Sequence, residues 1–412
     1  MTHRRGICPG LADPMPTGDG LLARLAVVRA IPLDAFAALC TAAQAHGNGI
    51  IEITSRGSIQ VRGLTARSAP AFAAAVEALD IADGANGRVL SNPLAGLDPH
   101  ELFDVTGIAR RLRELLMESG LTAKLAPKAS VVIDGGGAFH LDAIPCDIRL
   151  RAEAASGGIR FHVALASGGA RTTSLGTIAP EHAVEAVLAL LHAIAAYGPT
   201  ARARNLPDPA RFTRYPSPEA AGENASPAAE PIGIHRLRDD SVALGLGLPF
   251  GHSEADTLQN LIEEARRANV ISLRPAPARV LLLIGVVPAQ VSGLIAKADR
   301  LGFITKPNDP RRRVVACAGS PACLAAEIAT RALAPAIAAT ARLDRKTTIH
   351  VSGCAKGCAH PASADLTIVG VSGRCGIVPN GRAQDAPIEV VAAGDLPARL
   401  VQRIVVREAA HG

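Results

Sequence analysis

Four of the chain's eight cysteines lie in two short segments of its last third. Cys317 and Cys323 are separated by five residues, and Cys354 and Cys358 by three. Four thiolates from two loops are the ligand set that a cubane iron–sulfur cluster requires. A glycine precedes each cysteine of the second pair, which permits tight turns that bring backbone amides close to sulfide atoms. The pattern therefore predicts one 4Fe-4S cluster bound by these four cysteines.

Zinc is the alternative metal for such a pattern, but structural zinc usually binds C-x2–4-C knuckles, which the first pair fits poorly. Four unligated buried cysteines are a second alternative, although pairs with interleaved glycines are a poor way to build a core. Ser320 and Pro321 are expected to begin a helix over 324–339. Cys323 would then lie in its first turn, where the helix dipole favours a thiolate.

The length and composition of the chain limit its architecture and its partners. With 412 residues it is too long for one core and predicts several domains. Aromatic residues make up 2% and tryptophan is absent, which leaves few platforms for nucleic-acid bases. The net charge of +6 comes from scattered residues, which suits an anionic small molecule. No apolar run reaches the length of a membrane span, and the N-terminus lacks a signal peptide, so we expect a cytoplasmic protein.

A strand–helix–strand pattern occurs twice, which predicts an internal duplication. The first copy has expected strands at 21–28, 50–54 and 59–62 and helices at 33–45 and 70–79, and the second has strands at 242–248, 270–273 and 280–284 and helices at 254–268 and 288–301. Aligned in this way, Arg56 and Arg274 occupy equivalent strand ends. A larger segment follows each copy, so the expected fold is α+β with two similar halves.

The same pattern divides the chain into six segments. A linker is expected where proline, alanine, serine and glutamate are dense. The segments are an N-terminal arm (1–20), the first repeat unit (21–85), a larger segment (86–206), the linker (207–232), the second repeat unit (233–304) and the iron–sulfur segment (305–412).

The four-cysteine pattern and the segment Thr54-Ser55-Arg56 resemble the nitrite/sulfite reductase superfamily, and the resemblance extends over most of the chain. It implies two ferredoxin-like halves, each with a catalytic-type segment, and a 4Fe-4S cluster on the four cysteines. In the reductases of this superfamily the last cysteine, here Cys358, bridges the cluster to sirohaem. The arginine matching Arg56 binds a carboxylate of that tetrapyrrole.

Within the superfamily the chain most resembles the precorrin-3B synthase family, in residues 4–10 (RRGICPG), 14–15 (PM), 18–22 (GDGLL) and 352–361 (SGCAKGCAHP). This resemblance implies a dioxygen-dependent monooxygenase of aerobic cobalamin biosynthesis, which hydroxylates precorrin-3A at C20 and forms a γ-lactone. It also implies a mononuclear non-haem iron beside the cluster, no sirohaem, and an NADH-linked or ferredoxin-like electron donor.

At two places the sequence differs from the residues typical of the reductases, and both differences favour the resemblance to the precorrin-3B synthase family. Between Cys354 and Cys358 stands Ala-Lys-Gly, where reductases typically carry Pro-Asn-Gly. Arg88 is displaced by one position from the arginine that contacts the anion in reductases. A sirohaem-dependent sulfite or nitrite reductase remains the alternative, and a non-enzymatic iron–sulfur electron carrier or sensor is a third class.

Five cationic residues are candidates for binding substrate carboxylates. Arg56 and Arg274 are candidate clamps, because a guanidinium fork matches a carboxylate bidentately; the alternative is a solvated strand end. Arg88 and Lys128 are further candidates. Lys356, between two of the cysteines, is expected to offset cluster charge or to contact a carboxylate.

Two histidines adjoin the predicted cluster loops. His350 and His360 are candidate iron ligands or hydrogen-bond donors beside the cluster. The run 311–313 of three arginines follows a turn and is typical of a solvated face, so it does not indicate nucleic acid.

Overall fold

The computed structural model describes residues 9–27, 29–82, 87–168, 171–208, 211, 229–340 and 347–401. These residues form four five-stranded sheets with helices packed against them. The expected linker lies mostly outside the described residues, as does Cys8. None of the helices in the described ranges is long and apolar enough to cross a bilayer.

The first sheet is antiparallel throughout and has the order β1-β2-β5-β4-β13. Its strands are β1 (Met15–Thr17), β2 (Gly20–Leu25), β4 (Ile50–Ile53), β5 (Ile59–Leu64) and β13 (His252–Glu254), with helices α1 (Leu33–His46) and α2 (Ala69–Glu77) between them in the chain. The inward side chains of β4 and β5 are buried, because one face of the sheet is covered by these helices.

The second sheet repeats this arrangement with the order β11-β12-β15-β14-β3. Its strands are β11 (Gly233–Arg236), β12 (Val242–Gly247), β15 (Val280–Val286), β14 (Ser272–Ala276) and β3 (Ile31–Pro32), and its helices are α6 (Ala255–Arg267) and α7 (Val291–Arg300). In α6 the buried residues Leu258, Leu261, Ile262 and Ala265 recur at helical spacing and form one apolar stripe. That stripe joins the residues of α1 and α2 in a shared core.

The two repeat units exchange one short strand each. β3 belongs to the first unit but pairs with β14, and β13 belongs to the second unit but pairs with β4. Each sheet therefore has four strands of its own and one from the other unit, which joins the halves through backbone hydrogen bonds. The division of the chain into six segments stays a prediction.

The third and fourth sheets share a second repeated pattern, in which the first three strands are parallel and the remaining pairs antiparallel. The third contains β6 (Val89–Ser91), β7 (Val131–Asp134), β8 (Ile148–Ala155), β9 (Gly158–Gly168) and β10 (Arg171–Ile178), with α3 (Thr106–Glu118), α4 (Leu121–Lys124) and α5 (Ala183–Ala196). The fourth contains β16 (Val314–Ala316), β17 (Ile349–Ser352), β18 (Ala364–Val371), β19 (Arg374–Gly381) and β20 (Glu389–Val391), with α8 (Thr330–Thr340). The predicted α+β fold with duplicated halves is confirmed.

Candidate functional site: cysteine loops and a basic cleft

Both cysteine pairs follow neighbouring parallel strands. Cys317 comes directly after β16, and Cys354 comes two residues after the end of β17. Because the carboxyl ends of parallel strands meet at one edge of a sheet, the two loops leave the sheet side by side. Glu327 donates its amide N–H to the carbonyl oxygen of Gly353 over 2.7 Å, which joins the two loops directly.

Cys358 lies within electrostatic range of the other three cysteines. Burial raises the pKa of Cys358, and the neighbouring thiols of Cys354, Cys317 and Cys323 raise it further, whereas Lys356 opposes the shift. The structure therefore brings together all four cysteines that the sequence selects, and it places Lys356 beside them.

Contacts of the first cysteine fit a cluster ligand. Gly353 donates its amide N–H to Sγ of Cys317 over 3.1 Å, the kind of bond that stabilises a thiolate. A Cβ on Gly353 would lie 2.5 Å from Cβ of Ala326, so this approach requires glycine. Within the described ranges no three His, Cys, Asp or Glu side chains could hold one metal ion. A cubane has a larger core than one ion, and the four-thiol donor set fits it.

The predicted helix over 324–339 is wrong in its first part, because α8 begins at Thr330. Residues before it form an irregular loop, closed by one bond across the loop and containing one isolated α-turn. Ser320 donates to the carbonyl oxygen of Ile328 over 2.9 Å, and Cys323 donates to that of Gly319 over 2.8 Å. Cys323 thus lies in a loop, outside the first turn of α8 where it was expected.

A cleft of about 800 Å³ lies between the N-terminal arm, the first sheet and the third sheet. Three of the predicted substrate-binding residues line it, namely Arg56, Arg88 and Lys128. Arg24 of β2 is a fourth cation of this cleft that the sequence analysis missed. Arg24 stands two residues after buried Leu22 in β2, and nothing in the sequence around it marks it as a binding residue. Asp13, Glu77 and Asp80 line the cleft as well, so the cations exceed the carboxylates by one. We call this site the basic cleft, after its four cations.

Arg56 lies in the turn between β4 and β5 and contacts both halves of the chain. Its Nη2 donates to the carbonyl oxygen of Pro145 over 2.8 Å, and its backbone forms an antiparallel bridge with Pro277. The turn after β4 therefore meets the chain directly after β14. The expectation that Arg274 stands at a strand end is wrong, because β14 continues to Ala276 and Arg274 lies at its middle. Arg56 also borders a small cavity of about 30 Å³, which Arg113 and Arg274 line with it.

Arg274 is buried in this small cavity, outside the lining of the basic cleft. Burial lowers the pKa of Arg274 to about 10, the charge of Arg113 adds to that shift, and Glu101 opposes it. The structure thus places Arg274 near Arg56, but in a separate and much smaller space. Arg113 was not singled out in the sequence, because an arginine within an amphipathic helix is normally a surface residue.

Arg88 and Lys128 are connected through the chain segment before β7. Nη1 of Arg88 donates to the carbonyl oxygens of Ala126 and Ala129 over 2.7 and 3.1 Å, and Nη2 donates to that of Thr122 over 3.1 Å. These bonds direct the guanidinium at the segment that bears Lys128. Lys356 is exposed and does not line the basic cleft.

The two histidines near the cysteine loops have different surroundings. His350 is fully buried, and neither ring nitrogen has a hydrogen-bond partner among the described residues. Burial lowers the pKa of His350 to about 4, and His360, whose ring centre is 5.7 Å away, adds to the shift. Nε2 of His360 lies 3.3 Å from the carbonyl oxygen of Ser363.

Comparison with known proteins supports the superfamily that the cysteine pattern indicates. The family "Nitrite/Sulfite reductase ferredoxin-like half domain" matches residues 13–79. A precorrin-3B synthase from Sinorhizobium sp is 40% identical over 389 residues, which are 93% of this chain and 84% of that protein. A ferredoxin–nitrite reductase from Synechococcus elongatus is 26% identical over 82% of this chain and 73% of its own length.

A solved structure shows the fold of most of the chain. The NirA protein of Mycobacterium tuberculosis superposes with a TM-score of 0.75 at 19% identity, covering 94% of this chain and 80% of NirA. The duplicated sheets described above therefore have the nitrite/sulfite reductase fold. With the identity to the Sinorhizobium protein, this shows that the chain belongs to the precorrin-3B synthase family, a family of enzymes within the nitrite/sulfite reductase superfamily.

Proposed function

We propose that this chain is a dioxygen-dependent monooxygenase that hydroxylates precorrin-3A at C20 and forms a γ-lactone, a step of aerobic cobalamin biosynthesis. The observation that carries the proposal is the basic cleft of about 800 Å³, in which cations from β2, the β4–β5 turn and the segment before β7 converge. A precorrin has several acetate and propionate groups. Each carboxylate that leaves water needs a cationic or amide partner.

Each cation of the basic cleft has a proposed role. Arg56 binds a substrate carboxylate, with its turn fixed by the bond to Pro145. Lys128 binds a second carboxylate as a point charge, and Arg88 positions the segment that bears Lys128. Arg24 offers a further guanidinium from β2. These contacts orient C20 and the ring acetate and keep water away from the reacting atoms.

The cluster ligands are proposed to be Cys317, Cys323, Cys354 and Cys358. A 4Fe-4S cluster bound there would accept and donate single electrons. Lys356 would partly offset the negative charge of the four thiolates. The mononuclear iron that the family resemblance implies finds no ligand set among the described residues, and we assign no step to it.

The reaction is tested with anaerobically purified protein, precorrin-3A, a chemical reductant and labelled dioxygen. Mass spectrometry is expected to detect one oxygen atom from the gas in the product, and no conversion without dioxygen. Conversion under strictly anaerobic conditions would contradict the proposal. An NADH-linked or ferredoxin-like protein is the proposed electron donor in the cell, with the cytoplasm as the proposed location.

A sirohaem-dependent reductase of sulfite or nitrite is the second candidate function. The observation in its favour is the identity to a ferredoxin–nitrite reductase over most of the chain. It is distinguished by the red-region absorption of sirohaem in the purified protein. Reduction of sulfite or nitrite at ordinary enzyme rates by protein loaded with sirohaem would support this function instead.

A further inference from the structure

Arg62 of β5 fastens the first cysteine loop to the first sheet. Its side chain is 4% exposed, and its Nε and Nη2 donate to the two carboxylate oxygens of Asp19, each over 2.9 Å. Nη2 also donates to the carbonyl oxygen of Ala322, the residue before Cys323. A buried guanidinium with a bidentate carboxylate partner is held in one orientation. Arg62 therefore fixes the loop beside one proposed cluster ligand.

The turn that bears Asp19 packs against the same loop. Gly18 donates its amide N–H to the carbonyl oxygen of Ala322 over 3.1 Å. A Cβ on Gly18 would lie 2.1 Å from the carbonyl oxygen of Pro321, so the two backbones are in direct contact. The carbonyl oxygen of Ala322 thus accepts hydrogen bonds from both the β1–β2 turn and Arg62.

Two further charges complete the network. Glu52 of β4 accepts a hydrogen bond from Arg331, the second residue of α8, and its Oε1 lies 3.6 Å from Nη1 of Arg62. The side chains of Glu52 and Arg331 are 14% and 19% exposed. The charges of two arginines and two carboxylates therefore compensate one another. The pair Glu52–Arg331 joins the start of α8 to the first sheet, where the first cysteine loop ends.

The network acts on the cysteine through charge as well as through contact. The cation of Arg62 interacts electrostatically with Cys323. Burial opposes ionisation of Asp19, but hydrogen bonds from Arg62 and Thr17 outweigh it and hold the pKa of Asp19 below its usual range. Asp19 is therefore a carboxylate at neutral pH. Partial burial limits the screening of both charges by water and salt.

We propose that Arg62 and Asp19 are positioning residues that set the reduction potential of the cluster bound by Cys323 and the other three cysteines. The inference rests on the proposed function, because it requires that cluster. Reduction adds one negative charge to a cluster that four thiolates already make anionic. A nearby cation favours the reduced form and raises the potential, whereas a nearby carboxylate lowers it.

The test measures the potential of the anaerobic holoprotein by redox titration followed by electron paramagnetic resonance, with iron and sulfide counted per chain. Arg62→Gln is expected to shift the potential to a more negative value, because it removes the cation. Asp19→Asn is expected to shift it to a more positive value. Arg62→Lys keeps the charge without the fork, so we expect a potential between those of the wild type and Arg62→Gln.

Arg311→Gln is the matched control. Nε and Nη2 of Arg311 donate to both carboxylate oxygens of Asp309 over 2.9 and 2.6 Å, and Nη1 donates to the carbonyl oxygen of Gly302 over 2.7 Å. These contacts match those of Arg62. The charged groups that act on Arg311 are Asp309 and Asp299, whereas those that act on Arg62 include Cys323 as well as carboxylates. Its loss is expected to leave the potential unchanged.

The outcomes separate this inference from the proposed function. A wild-type potential in Arg62→Gln with full iron and sulfide would overturn the inference. Shifts of the same sign in Arg62→Gln and Asp19→Asn would also overturn it, because they indicate a loosened loop rather than a charge effect. If Arg62→Gln loses the cluster, the potential of Asp19→Asn decides the inference. A more positive potential supports it, and an unchanged or more negative potential overturns it. A wild-type protein without iron and sulfide would instead refute the proposed cluster.

Discussion

The backbone amide of Gly353 donates to Sγ of Cys317 over 3.1 Å, so the second cysteine loop binds a cysteine of the first. The contact depends on the parallel pairing of β16 and β17, which brings the two loops to one edge of the fourth sheet. It also depends on the missing side chain of Gly353, because Ala326 occupies the space that a Cβ would need. The geometry of a proposed cluster ligand and the packing of the two loops are therefore coupled at this residue.

Gly353→Ala is expected to lower the cluster content and the stability of the holoprotein. The new methyl group would lie 2.5 Å from Cβ of Ala326 and must displace one of the loops. Overpacking of this kind costs about 1–3 kcal/mol. Iron and sulfide analysis with thermal unfolding measures both effects. Gly394→Ala is the control, since no atom lies within 4 Å of its added Cβ, and unchanged cluster content in Gly353→Ala would contradict the coupling.

Cys323→Ser is expected to reduce cluster content, because a serine hydroxyl is a poor substitute for a thiolate ligand. The same loss is expected for Cys317, Cys354 and Cys358. Iron and sulfide per chain, with the visible absorption of the cluster, provide the measurement.

Two cysteines outside the loops are matched controls for this experiment. Cys40 and Cys375 are buried in apolar cores, and replacing either by serine should leave iron and sulfide per folded chain unchanged. Full retention of the cluster in Cys323→Ser would remove that residue from the ligand set.

Periodicity and residue spacing predicted the duplicated α+β fold because these features are local. The stripe of α6 and the cysteine pairs are visible within windows of a few residues. The exchange of β3 and β13 is not visible in this way, because strands of two or three residues show no alternation. Their partners are also 200 or more positions away in the chain.

The contacts of the site were harder to predict than its residue types. Arg62 and Ala322 are separated by 260 positions, and spacing contains no information about such a pair. Cys323 was assigned to a helix because Ser320 and Pro321 form a common helix start. In the structure the neighbouring amides bond across the loop, so tertiary contacts overrule the local preference.

Arg56→Ala is expected to weaken binding of the tetrapyrrole by roughly 1.5–3 kcal/mol, the range for a hydrogen bond to a charged group. Arg56→Lys should restore only part of the affinity, because the fork that matches a carboxylate is lost. Equilibrium binding of precorrin-3A, followed by absorbance, provides the measurement.

The control for Arg56 is an arginine of the same charge on an exposed surface. Arg110 lies on α3 with its side chain 78% exposed, so Arg110→Ala removes one positive charge without altering the basic cleft. The Arg110→Ala variant should bind precorrin-3A with the affinity of the wild type. If Arg56→Ala also binds with wild-type affinity, Arg56 does not contact the substrate.

Glu101→Gln is expected to stabilise the protein above neutral pH. Glu101 is 7% exposed, and burial raises its pKa from 4.5 to about 7 although the Gly96 amide donates to its Oε2 over 2.7 Å. The carboxyl is therefore protonated in the folded chain at pH values where it is ionised in the unfolded chain. The stability that it contributes is fully present below pH 4.5 and is lost as the pH rises through about 7.

A glutamine reproduces the neutral form at every pH, so the difference in unfolding free energy between pH 5 and pH 8 should shrink by on the order of 2–3 kcal/mol in Glu101→Gln. Denaturant unfolding of wild type and variant at both pH values measures this difference. Glu114→Gln, on the exposed face of α3, is the control and should leave the pH dependence unchanged. An identical pH dependence in Glu101→Gln and wild type would show that Glu101 ionises normally, because the remaining groups are common to both proteins.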